Sequence, residues 1–285
     1  MVTIIRFIIV TTLTLATFSA SAQNFKGEAT YKTKRKVDIK LDSTQVNSEM
    51  HQKMLEMFKK QFEKTFILSF NKEESLYKEE EKLGAPQPSN VQMVIVNTDE
   101  SDILYRNLKE KRYTSKNEVF GKIFLIKDTL PKLEWTFEKE TKNIGEYTCF
   151  KATMKHMVPI VTGGISINDD KDLKANENKE PQMEETTITA WYTTQIPISN
   201  GPARYYGLPG LILEVNDGTE TIVCSKVVLN PEGNADIVEP RKGKVVNQAD
   251  FESIVEKRMQ EENERRESNR NDDDGGHRIE IRIGG

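Results

Sequence analysis

The side chains in this 285-residue chain with the means to do chemistry are few: two cysteines, three histidines and some acidic runs. Cys149 and Cys224 both fall in stretches that read as strands. Two chemistries are open to them. One is a disulfide, which an oxidising compartment permits and which, by closing a loop of about 75 residues, would stabilise the fold by roughly 4 kcal/mol in the chain-entropy account. The other is a pair of buried free thiols, since cysteine packs as a small apolar residue. His51, His156 and His277 lie on a helix pattern, a strand end and the tail. None pairs with another at the three- or four-residue spacing that lets one helix present two metal ligands. The runs Asp169-Asp170-Lys171-Asp172 and Asp272-Asp273-Asp274-Gly275-Gly276 lack the glutamate that completes a calcium loop and read as solvated acidic loops. There is no nucleophile elbow, phosphate loop or dinucleotide fingerprint. No catalytic, metal or cofactor residue is therefore assigned, and no cofactor is expected. A hydrolase with a site built from distant residues stays as a third functional reading.

The densest aromatic group is Trp191, Tyr192, Tyr205 and Tyr206. These side chains could be core beneath a sheet or a ligand wall at its mouth; core is favoured, because aromatics carry much of the buried area of any domain. They precede the hexapeptide Gly207-Leu208-Pro209-Gly210-Leu211-Ile212. It holds no titratable, nucleophilic or metal-binding side chain, so its role is structural. Pro209-Gly210 suits a type II turn with Gly210 at the position of positive φ. The competing account leaves Leu208 and Ile212 exposed as a docking patch.

The hexapeptide, preceded by Thr189-Ala190-Trp191-Tyr192-Thr193 and Ile196-Pro197-Ile198, closely resembles the signature of the GLPGLI family of secreted bacterial proteins. The resemblance runs from about Gly27 to Asn230. It implies an exported protein of a Bacteroidota-type bacterium with a β-rich fold, and it carries no settled activity.

Strands must position these residues. Alternation marks Phe25 to Leu41, Phe66 to Phe70, Leu76 to Glu79, Val91 to Val96, Ile103 to Leu108, Lys111 to Ser115, Val119 to Ile126, Leu133 to Glu138 and Glu146 to Lys155. Thr187 to Thr194, Leu211 to Val215 and Thr221 to Leu229 continue the pattern, the last two joined by Asn216-Asp217-Gly218 as a hairpin loop. Met50, Met54, Phe58, Phe62 and Phe66 recur every four residues, the spacing of an amphipathic helix lying on the sheet. Asn168 to Glu185 is a charged, aperiodic loop. Ala249 to Glu267 reads as a helix with Phe251, Ile254, Val255 and Met259 on one face and a charged second half. The fold class is mainly β (α+β): a broad curved antiparallel sheet with a packed amphipathic helix and a C-terminal helix.

Residues 1–22 combine Arg6, an apolar run and Ala20-Ser21-Ala22, the pattern of a secretory signal peptide cleaved after Ala22. The β-rich domain spans 23–247, and 248–285 is a charged helix and flexible tail. A hydrophobic share of 36% beside 30% charged residues describes a very polar chain. The net charge of −4, with both signs intermixed, argues against nucleic acid as a partner. No stable membrane anchor is expected. The lead expectation is an exported periplasmic binding or accessory protein holding an apolar small molecule on the curved sheet. An interaction module of an envelope complex, with an envelope protein as partner, is the alternative.

Overall fold

The computed structural model describes residues 25–35, 63–80, 102–159, 183–232 and 237–269. The predicted signal peptide, Met50–Phe62 of the predicted helix, the strand at 91–96, most of the 168–185 loop and the tail lie outside the described residues. Phe66 does not extend a helix: it is buried in a strand.

Among the described residues, twelve strands form one sheet. They are β1 (Gly27–Arg35), β2 (Thr65–Phe70), β3 (Glu74–Glu79), β4 (Ile103–Asn107), β5 (Arg112–Val119) and β6 (Lys122–Thr129) in the first half. The second half supplies β7 (Thr136–Ile144), β8 (Tyr147–Pro159), β9 (Met183–Thr193), β10 (Leu211–Asn216), β11 (Glu220–Leu229) and β12 (Lys244–Val246), followed by helix α1 (Gln248–Asn269). Their order across the sheet is β12-β6-β5-β4-β3-β2-β1-β11-β10-β9-β8-β7. Two antiparallel meanders, β1 to β6 and β7 to β11, are thus joined through the β1–β11 pair. β12 departs from the antiparallel expectation: it pairs with β6 in parallel, Val245 opposite Leu125. Val119 to Ile126 is not one strand, because Phe120 and Gly121 both take positive φ (52° and 68°) and turn β5 back into β6.

Directly paired residues share a face, so the register defines the inner surface. One row runs Ala29, Leu68, Tyr77, Leu104, Ser115 and Ile126 from β1 to β6. All six are buried. The main core adds Tyr31, Phe66, Phe70 and the inward residues of β8 to β11. Tyr77 stacks on Phe66 with ring centroids 4.8 Å apart. A second, smaller core forms where α1 crosses β6: Phe251 meets Phe124 edge to face at 5.5 Å, and Val255 closes it. Asn247 caps the helix through the Asp250 amide at 2.7 Å. From Glu256 to Glu261 the side chains are exposed, Met259 among them, so among the described side chains the buried ones, Phe251 and Val255, lie in the first two turns of the helix.

The segment leading into β12 is pinned by Glu239. Its carboxylate accepts from Thr114 Oγ1 (2.6 Å) and Lys127 Nζ (3.0 Å) and pairs with Arg112 (3.0 Å). Burial would raise this carboxyl, but the three donors outweigh it and hold it down at about 2. A depressed folded-state pKa contributes stability that is complete above the ordinary value near 4.5 and is lost as pH falls toward 2. Glu239→Gln is expected to destabilise by about 1–2 kcal/mol at neutral pH. That deficit should shrink steadily between about pH 4.5 and 2 in urea titrations. A deficit independent of pH would show that the carboxylate charge is not what pins the segment.

Candidate functional site

The loop between β9 and β10, residues 194–210, holds most of the sequence signature and is fastened to the inner face of the sheet at many points. The Leu211 and Ile198 amides both donate to the Ile196 carbonyl, at 3.0 and 2.8 Å, and Ile212 donates to the Asn200 carbonyl at 3.0 Å. Ser75 Oγ on β3 donates to Asn200 Oδ1 at 3.0 Å, and the Tyr31 hydroxyl on β1 donates to the Ile212 carbonyl at 2.7 Å. Trp135 Nε1 holds the Tyr206 carbonyl at 2.9 Å.

The central fastening is Arg106 on β4. Its side chain is 1% exposed, and its guanidinium donates to the carbonyls of Tyr205 (3.1 Å), Gly201 (2.9 Å) and Ala203. The ring of Tyr206 covers it at 5.5 Å. Nε has no hydrogen-bond partner, and no carboxylate pairs with this guanidinium among the described residues. Burial lowers its pKa to about 10, so it is still charged at neutral pH. A buried cation held by carbonyl dipoles and an aromatic ring keeps its net charge in a low-dielectric setting.

Arg106 is also in the wall of a pocket of about 250 Å³. The apolar part of that wall includes Phe66, Leu104, Ile126, Leu130, Pro131 and Ile222. Ile126 is on β6 and Ile222 on β11, six steps apart in the strand order. A flat sheet would separate them by roughly 29 Å at about 4.8 Å per strand. Both reach one pocket, so the sheet curls strongly, as the sequence reading expected of it. Tyr77, Tyr113 and Tyr206 complete the rim. Burial, first among the causes, pushes Tyr113 up to about 12, and Tyr206 is raised for the same reason, so these hydroxyls stay neutral.

The structure separates residues that the sequence reading grouped. Tyr206 lines the pocket, whereas Tyr205 is buried on the other side of the loop with its hydroxyl 3.4 Å from Asp217. Tyr192 packs between Phe137 and Phe150. Trp191, next to it in a strand, points to the opposite face and lies 4.4 Å from Lys142 Nζ. Tyr192 and Tyr205 thus belong to the main core with Trp191 packed against it, and Tyr206 is the one of the four that lines the pocket. Gly210 does not take positive φ; Gly207 does, at 92°. What demands glycine at 210 is close approach: a Cβ there would stand 2.0 Å from the Thr193 carbonyl oxygen. Leu208 and Ile212 are fully buried, as is Leu211, which removes the exposed docking patch.

Cys149 and Cys224 are free thiols in the main core. Their strands, β8 and β11, are separated by β9 and β10 and share no ladder, yet the two thiols lie near enough to interact electrostatically. Burial pushes both thiols up to about 11, which keeps them protonated and poorly nucleophilic at neutral pH.

Arg106 itself was missed. The signal was a charged residue two positions after Leu104, in the inward phase of a strand, but Ile103 and Tyr105 are also apolar and leave that phase ambiguous.

Fold and site together define a mainly β chain whose curled sheet encloses a pocket floored by a buried arginine. Residues 135–214 match the family model described as a protein of unknown function, Porph_ging, a Bacteroidota-associated family. That span contains the Gly207 to Ile212 hexapeptide, and the match is compatible with a GLPGLI-type family. No curated protein matches the chain. Among solved structures, PNGF-II in two crystal forms is similar at 14% identity, with TM-scores of 0.46 and 0.45. The likeness covers 81% of this chain and 33% of PNGF-II, so the chain spans about a third of that protein's length. No helix among the described residues is long and apolar enough to cross a membrane.

Proposed function

We propose that this chain is a GLPGLI-type exported protein, periplasmic or secreted, that binds a small apolar molecule inside its curled sheet. The observation that carries the reading is the pocket of about 250 Å³ with a largely apolar wall drawn from β2, β4, β6 and β11. Its volume falls just below the ~300–1,000 Å³ usual for ligand sites, which suits a small occupant. The signal-peptide pattern of residues 1–22 supports export, and the hexapeptide supports the family. In this reading the hexapeptide loop acts indirectly: by closing over Arg106 it forms one wall of the pocket and contributes no reacting group. Native mass spectrometry of protein purified from the periplasm is expected to show an added mass of a few hundred daltons or less that organic solvent removes. Repeatedly empty spectra, with no uptake of added apolar probes, would refute the binding role.

A further inference from the structure

We infer that the occupant of the pocket is an amphipathic monoanion, an alkyl carboxylate whose head lies at Arg106 and whose chain runs along Phe66, Leu104, Ile126 and Ile222. This rests on the binding reading above and names its ligand class. Among the described residues, the ionisable lining besides tyrosines is Arg106, Arg204 and Glu220. Two cations against one carboxylate leave this described part of the wall with one net positive charge. Arg204 and Glu220 each already have a partner. Arg106 hydrogen-bonds to carbonyl oxygens, which orient it without neutralising it.

An uncompensated charge in an apolar setting is the element that discriminates among ligands of equal shape. A carboxylate gains attraction there, a neutral alcohol gains none, and an ammonium is repelled. One positive charge matches one carboxylate. A dianionic phosphate would bring an excess negative charge into the same low-dielectric wall, at a desolvation cost the site does not offset. The apolar walls supply affinity in proportion to the chain they cover, while the cation selects the head group. No bond is made or broken, so the role is capture of the anion.

The test compares decanoate, decanol and decylammonium for binding to the unaltered purified chain by calorimetry at neutral pH, below the solubility limit of each. Decanoate is expected to bind at least 10-fold more tightly than decanol, with decylammonium weakest. Equal affinities for all three, or a preference for the alcohol or the amine, would overturn the anion assignment while leaving the apolar pocket standing. Failure of all three to bind would overturn both. Because the comparison varies the ligand and not the protein, it does not depend on any Arg106 variant folding. Where Arg106→Gln does fold, it should bring the decanoate and decanol affinities together; an undiminished preference for decanoate would assign the selectivity to some other group.

Discussion

Gly210→Ala is expected to destabilise the protein by about 3 kcal/mol or more, well beyond an ordinary glycine substitution. The added Cβ would lie 2.0 Å from the Thr193 carbonyl oxygen and 2.6 Å from its carbon. These are backbone atoms that cannot step aside, because Thr193 is paired with Leu211 in the β9–β10 ladder. The comparison with Gly207 isolates the cause. Gly207 has φ of 92°, but the nearest atom to its Cβ position is Trp135 Nε1 at 3.9 Å. Alanine there meets conformational strain alone, a cost of about 1 kcal/mol. Thermal melts and urea titrations of the two variants should therefore separate widely, with Gly210→Ala the lower by about 5 °C or more for a domain of this size. Equal losses would show that strand approach is not what requires glycine at 210.

Arg106→Met is expected to cost about 3 kcal/mol or more and to loosen the 194–210 loop. A buried ion pair replaced by apolar side chains is often neutral or stabilising, so the sign needs an argument. Here the partners are three backbone carbonyls that stay behind, and each acceptor left unsatisfied costs about 1–3 kcal/mol. Methionine restores volume but no donor, and partial rehydration through the pocket sets the lower end of the range. Trp135 reports on the event directly, since its Nε1 is bonded to the Tyr206 carbonyl. Its fluorescence should shift to longer wavelength in the variant under native conditions, before global unfolding. A variant as stable as the parent with unchanged emission would mean that the loop is anchored by its own turns and by Ser75 and Tyr31, not by the guanidinium.

The loop's dependence on β4 explains why the signature can be chemically inert and still shape the site. Leu208, Leu211 and Ile212 fill the core, Gly207 and Gly210 let the backbone pass, and the carbonyls at 201, 203 and 205 face a cation about a hundred residues earlier in the chain. A substitution at Arg106 and one at Gly210 therefore strike the same small structure from two sides.

Strand positions were legible in the sequence wherever apolar and polar residues alternate. The β2–β3 pair, the Asn216-Asp217-Gly218 loop and the apolar face of α1 at Phe251 and Val255 all stand where their local pattern put them. Side-chain alternation and turn chemistry are properties of neighbouring residues, which is why the sequence alone determined them. It did not determine that β1 would join the two meanders through β11 or that β12 would add in parallel. Those depend on which strand edges meet. Nor did it determine the reason for Gly210 or the place of Arg106, because a Cβ clash with Thr193 and a guanidinium held by carbonyls at 201 to 205 exist only once distant segments are in contact. Tertiary structure decided the pocket for the same reason: its wall comes from strands six steps apart in the sheet, and only the curl of the whole sheet brings them together.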